Sequence, residues 1–397
     1  MHLSELVLWQ RDWFDLGSVE AIKRREIFYK EATRSRRKKI ADQLNDVRKG
    51  WFDHVKSYVY GYQDYLDWDP SVGSTPSVLR LLEIAKEAAE SEEPDQRVWF
   101  ECLFLIDQAI AQAIIEEKDP INLIGSDIDR VVRLLSSKMF NGPHKRVKIY
   151  SYHDPDPETG HYMVVENGIG IGQPLEGFED YYERVNSLRY RPLRGGSEPV
   201  CLHHRLKYPF RTNIKEMKYL IQGRSNPFHV TDRAAMLLVG PDVQTVRDII
   251  IMVQDIVEDA GGKILTPLES NLLFDYTEEV DIDSIDADDE TDEEFSADLD
   301  NPDSSKDFKV AKFDFEYHGR RFEIQFMTFA DYYSGLLATN DVGHPIYKLS
   351  QAYKYHLPFR FPFAIYRINW AGEEERKMLR SWKQRQLGWC VKHNPPP

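Results

Sequence analysis

The sequence predicts an α+β protein, and three observations carry that prediction. Apolar residues recur at helical spacing through most of residues 1–140. From Val147 the period changes to two, in runs such as VKIYSYHD and HYMVVENGIGI. Between Phe313 and Phe326, aromatic and aliphatic residues alternate on both sides of His318-Gly319, the pattern of a β-hairpin.

The helical region is read in order. Val19 to Asp46 forms one long charged helix, with basic clusters at Lys23-Arg24-Arg25 and Arg34 to Lys39. Two readings of those clusters stay open, a phosphate- or RNA-binding face and a solvated helix face. Thr75 followed by Pro76 is a helix start, a capping hydroxyl before Pro at the first helical position. The helix it opens carries Val78, Leu79, Leu81, Leu82 and Ile84 and ends near Ser91. Trp99 to Ile115 is apolar almost all round, as a buried helix is, and Ser126 to Met139 returns to one apolar face.

The two strand-like runs after Val147 are separated by the turn-rich DPDPETG. His153-Asp154 lies at a strand end with no second His/Asp pair on a nearby helix, which sets aside a hydrolase metal site. Gly168, Gly170 and Gly172 make a GxGxG with no βαβ unit after it, and read as a turn. Ala234 to Val239 is a short buried strand with Asp232 at its mouth, and the helix Val243 to Asp259 ends on Gly261-Gly262. Past Lys348 come the end of a helix, a strand in PFRFPFAIYRINW, a charged helix over 372–386 and a loose tail.

The chain has 397 residues, room for two domains or one elaborated one. Apolar content of 42% with 29% charged residues is that of a globular protein. Cys102, Cys201 and Cys390 lie far apart and form no metal or disulfide spacing, which fits a reducing compartment. The start of the chain lacks a leader pattern, and no apolar run approaches the ~20 residues of a membrane helix. A soluble, cytoplasmic protein with no membrane contact is expected. The net charge of −15 is local: residues 278–303 hold fourteen Asp/Glu and no Lys or Arg, and the rest is nearly neutral. That composition cannot bury enough apolar surface to offset ordering, so the tract is expected to be disordered.

Three groups of residues carry candidate chemistry. Alternation puts Phe322, Ile324 and Phe326 against a core, so Arg321, Glu323 and Gln325 point to the other face. Followed by His344 and Tyr347-Lys348, these suggest a polar site, the alternative being a solvated edge hairpin. In RLKYPFRTNIKEM, Arg205, Lys207, Arg211 and Lys215 place four cations within eleven residues, and Arg211 and Lys215 share a helix face. A nucleoside triphosphate needs several such donors converging on it. Asp232 either joins Glu323 in holding Mg²⁺ or accepts a neighbouring backbone N–H.

FEIQFMT followed by HPIYK resembles the end of the RelA/SpoT nucleotidyltransferase domain, whose pattern is V-E-I-Q-I-R-T, a helix, then H-x-x-Y-K. Glu323, Gln325, Thr328, His344, Tyr347 and Lys348 fall on it. In that family a segment R-x-K-x-x-x-S-x-x-x-K binds the donor ATP. Arg205, Lys207 and Lys215 match it without a gap, with Arg211 in place of Ser. The family's D-x-x-G-x-R is met by Asp232, with Ala235 for Gly and Leu237 for Arg. Counting back from Glu323 puts Phe308 where the family has the Tyr that stacks on the acceptor guanine; Phe keeps the stacking face and loses the hydroxyl. The resemblance spans about 200–350 and implies a mixed-sheet nucleotidyltransferase core. It also implies pyrophosphate transfer from ATP to the ribose 3′-hydroxyl of a GDP- or GTP-like acceptor. By the same resemblance, Mg²⁺ sits on Asp232 and Glu323, Glu323 takes the proton, and Arg205, Lys207, Arg211 and Lys215 bind the triphosphate, with Gln325 and His344 in support. Two other readings stay open: a toxin-like relative acting on the tRNA 3′ end, and a binding domain without turnover. The expected division is a helical region 1–140, a core 141–360 carrying the acidic insertion 278–303, and a C-terminal strand, helix and tail 361–397.

Overall fold

The computed structural model describes residues 18–58, 67–155, 162–221, 233–266, 268–271, 309–337, 348, 351–370 and 372. Asp232, Phe308, His344, Tyr347, the acidic tract 278–303 and the charged segment 373–386 lie outside the described residues. The chain is mixed α and β, and it clusters into two compact units. One holds residues 1–123, 207–230 and 351–379; the other holds 124–206, 231–350 and 380–397. Both are therefore discontinuous in sequence, unlike the contiguous division expected.

The helical unit contains α1 (Ser18–Glu31), α2 (Arg34–Tyr58), α3 (Pro70–Gly73), α4 (Val78–Glu90) and α5 (Gln96–Lys118). The single helix expected over 19–46 is two. Thr33 interrupts it, because its hydroxyl accepts the Arg36 amide at 3.2 Å and starts α2 afresh. The cap of α4 is Ser77 rather than Thr75, whose hydroxyl is engaged by the Ser71 carbonyl on the preceding turn. The helix still ends at Ser91. Every residue of α5 from Trp99 to Ile115 is buried. α5 is long and apolar enough to cross a membrane, yet its apolar stretch is wholly enclosed by protein.

Chain from later in the sequence closes this unit. Helix α7 (Pro209–Ile221) presents Phe210, Ile214 and Met217, at i, i+4 and i+7, to the core that holds Trp51 and Phe104. Trp51 meets Phe104 and Phe210 edge-on, with centroids 5.4 and 5.7 Å apart. A Cβ on Gly50 would lie 2.6 Å from the Phe210 ring, so only glycine admits this approach. Gln351 leads into a π-helical turn (Ala352–His356) and two short helices, α10 (Leu357–Arg360) and α11 (Phe363–Tyr366). The strand expected in PFRFPFAIYRINW is thus helical. A strand needs a pairing edge, and among the described residues this unit has no strand.

The sheet unit begins with most of α6 (Ile121–Met139) and continues with β1 (Lys145–Pro155), β2 (Tyr162–Ile171), β3 (Tyr182–Pro192), β4 (Pro199–Leu206) and β5 (Ala234–Gly240). α8 (Val243–Asp259), β6 (Lys263–Ile264), β7 (Glu269–Asn271), β8 (Val310–Tyr317), β9 (Arg320–Thr328) and α9 (Phe329–Leu337) follow. Among the described residues the strands order as β2-β1-β3-β4-β5-β9-β8-β6, with β7 also on β8. β5 and β9 run parallel and the other pairs antiparallel, so the sheet is mixed. Gly168 and Gly170, read as part of a turn, lie in β2, and Gly172 (φ +82°) ends it. A side chain at either strand position would collide with Val165 or with the Gln173 carbonyl, which explains glycine there.

The hairpin is as expected. His318 and Gly319 both adopt positive φ (53° and 72°), as a two-residue turn matching strand twist requires. Phe313, Phe315, Phe322, Ile324 and Phe326 are buried, and Phe315 stacks on Phe322 across the ladder. α8 packs on β5, β6 and β9 and ends in the expected glycine cap, the Gly262 amide reaching the Val257 carbonyl at 2.8 Å. Cys102 and Cys201 are free thiols, and burial raises the pKa of each. That keeps them protonated and poorly nucleophilic.

Candidate functional site

The register of β4, β5, β9 and β8 assembles a site on one sheet face, rung by rung. Paired residues share a face, so Arg205, Ala235, Glu323 and Asp314 form one rung. His203, Leu237, Gln325 and Lys312 form the next. Beyond them Cys201 and Val239 belong to an apolar cluster with Phe329 and Tyr333 of α9. One end of this face is therefore sealed by a helix, and the other carries charge.

Glu323 is the centre of the charged end. Its side chain is only 12% exposed, and its Oε1 accepts a hydrogen bond from Gln325 Nε2 at 2.8 Å. The guanidinium of Arg205 lies 3.7 Å from the same oxygen. Directly across the ladder, Asp314 is equally buried and takes Arg321 Nε and Nη2 on its Oδ2 at 2.8 and 2.6 Å. Two carboxylates placed opposite each other repel. Arg205 and Arg321 offset that repulsion, one on each carboxylate. Asp314 is anchored further by its own backbone, since its amide donates to the Thr266 hydroxyl at 2.8 Å.

Three of the sequence-derived residues, Arg205, Glu323 and Gln325, are thus brought together. Lys207, Arg211 and Lys215 belong to the helical unit. There an Arg211 Nη1–H donates to His54 Nδ1 at 3.2 Å, and the Lys215 ammonium lies 5.2 Å from the Tyr219 ring centroid. Arg211 and Lys215 do stand one turn apart on α7, as expected. Thr328 serves as the cap of α9, its hydroxyl accepting the Asp331 amide at 3.1 Å. Lys348 is half-buried in a helical residue position. Asp232 precedes β5, whose Ala235 is the direct neighbour of Glu323.

Asp314, Lys312 and His203 were not singled out from sequence. The signal was present for all three: Lys312 and Asp314 alternate with Phe313 and Phe315, and His203 has the parity of Arg205 on its strand. Among the described residues, no group of three or more His, Cys, Asp or Glu side chains could hold a metal ion. The carboxylate oxygens of Glu323 are hard donors of the kind Mg²⁺ takes, while Asp232, the other residue expected to hold the ion, lies outside the described residues.

Comparisons with protein-family models, with curated proteins and with solved structures returned no match for this chain.

Proposed function

We propose that the chain transfers pyrophosphate from ATP to the ribose 3′-hydroxyl of a GDP- or GTP-like acceptor, on a nucleotidyltransferase-like core. The observation that supports this most is the meeting of Arg205, Glu323 and Gln325 on one sheet face. These residues come from separate motifs of the RelA/SpoT resemblance and from distant parts of the chain.

In this reading the acceptor 3′-oxygen attacks the β-phosphorus of ATP, the bond to the oxygen bridging the α- and β-phosphates breaks, and AMP leaves. Glu323 accepts the hydroxyl proton, and Gln325 orients its carboxylate. Arg205 binds the triphosphate. Asp232 and Glu323 would hold Mg²⁺, which would supply charge to neutralise the phosphates. Phe308 stacks on the acceptor base, and His344 belongs to the nucleotide-binding set. Leu237 takes the place of the family's Arg. In the same rung Lys312, on the far side of Gln325, supplies a cation in its stead.

A second reading is favoured by Leu237 itself: a nucleotide-binding domain without turnover, since an apolar side chain here removes a phosphate ligand. One experiment separates the two. The protein is incubated with γ-labelled ATP and Mg²⁺ beside GDP, GTP, ADP or bulk tRNA. Label moving to GDP or GTP, with AMP released, is the expected outcome. Label on tRNA moves the acceptor to the tRNA 3′ end. ATP binding with no labelled product for any acceptor establishes the binding domain.

A further inference from the structure

A nucleotide site needs a surface for the base as well as donors for the phosphates. His203 and Tyr332 offer one beside Arg205. Their rings lie 16° from parallel with centroids 5.7 Å apart, Tyr332 reaching the sheet from α9. Tyr332 is itself braced edge-on by Tyr333, which is buried in the cluster under α9. Tyr332 lies near-parallel to the imidazole, and His203 stays exposed. The dense surroundings hold the His203 pKa below its ordinary value, chiefly by desolvation and then by the charge of His204. A neutral imidazole is a stacking surface rather than a competing cation.

We infer that His203, backed by Tyr332, is the nucleobase platform of this face and binds the base of the nucleoside triphosphate whose phosphates meet Arg205. The inference rests on reading the face as a nucleotide site and does not require the transfer reaction. His203 and Arg205 have the same parity on β4, two residues apart. Strand geometry separates them by about 6.6 Å, the span from a base across its ribose towards the phosphates. Base–aromatic stacking tolerates any base identity, because every base has a π-face. The platform therefore explains how the chain binds a nucleotide and leaves discrimination between bases to other contacts.

The test measures ATP and inorganic tripolyphosphate binding by calorimetry on the full chain, its His203→Ala variant and its His203→Phe variant. His203→Ala is expected to weaken ATP roughly tenfold, and to leave tripolyphosphate within about twofold. His203→Phe, which keeps a stacking face without the ring nitrogens, is expected to retain ATP affinity. The platform is overturned if His203→Ala leaves ATP affinity unchanged or weakens both ligands equally. It is equally overturned if the parent chain binds ATP no better than tripolyphosphate. Base-dependent binding without labelled product would support the platform and remove the transfer reading. Transfer with no effect of His203→Ala would do the reverse.

Discussion

The two units treat buried charge in opposite ways. In the helical unit, Arg25 and Asp107 form a two-point ion pair, at 3.0 and 2.7 Å, with side chains 1% and 0% exposed. Glu101 is equally enclosed. It accepts from Arg97 at 3.1 Å, from the Tyr366 hydroxyl, and from the Asp69 amide at 2.7 Å, and Arg360 lies 3.7 Å away. Arg360 is also stacked 3.9 Å above the Trp68 ring. In the sheet unit the Arg205 side chain is 50% exposed where it meets Glu323. An ion pair sealed by packing has no room for a ligand, and its work is to fix one arrangement of helices. A pair with one partner at the solvent boundary can exchange that partner for a phosphate at small cost.

The comparison breaks first at Asp107, where the largest effect is expected. Asp107→Asn leaves the Arg25 guanidinium buried without its counter-charge and should cost about 3–5 kcal/mol in urea unfolding. Arg25→Met with Asp107→Leu should recover most of it. A loss below about 1 kcal/mol for the single variant would show that water reaches the pair and that the contrast between the units is false.

Glu323→Gln comes next, and its readout differs. Under the proposed function, label transfer should fall about 10²- to 10⁴-fold. The unfolding midpoint should barely move, because the amide removes repulsion towards Asp314 as it gives up attraction to Arg205. A variant that transfers at the parent rate would sink the assignment of Glu323 as the base. A large stability loss would place Glu323 with the sealed pairs of the helical unit.

His153 is an enclosed titratable group of the sheet unit. It is 4% exposed, its Nε2 lies 2.9 Å from the Ser151 hydroxyl, and burial lowers its pKa from 6.5 to about 4. The folded pKa lies below the unfolded one, so protons favour the unfolded chain. The stabilisation is complete above pH 6.5 and is lost as pH falls towards 4, by about 3 kcal/mol at most. The difference in stability between the parent chain and His153→Leu should shift in favour of the variant across that window. A constant difference from pH 7.5 to 4 would show that His153 is hydrated. The smallest effects should not distinguish the units at all. Asp95→Ala and Asp242→Ala each remove an N-cap, on α5 and α8, and each should cost about 1 kcal/mol by thermal unfolding.

Much of this fold was legible in residue order, where local chemistry decides. The α8 cap at Gly261-Gly262, the enclosed α5 and the His318-Gly319 turn each follow from spacing and from one or two residues with few options. The helix break at Thr33 and the helical turns after Arg360 were not legible. One depends on a hydroxyl choosing a neighbouring amide, the other on Arg360 and Tyr366 both reaching Glu101 far away in sequence. The site divides in the same way. Alternation put Glu323 and Gln325 on one face, but only the register of β8 against β9 sets Asp314 opposite Glu323. Only α9 lays Tyr332 on His203. Asp232, Phe308 and His344 lie outside the described residues.

The interleaving of the chain has a consequence for how the protein is made. α5 is early in the sequence, while two of the pieces that cover it, α7 and the segment through α11, are translated much later. A ribosome must deliver residue 370 before the helical unit has its full complement, by which time the β8–β9 hairpin has already emerged. The nascent chain therefore carries the long apolar surface of α5 incompletely covered for most of its synthesis, a period in which chaperone binding or aggregation competes with folding. For the same reason residues 1–140, cut out as a fragment, should expose that surface and associate. A library of bisected chains should find few breakpoints that yield two independently soluble halves.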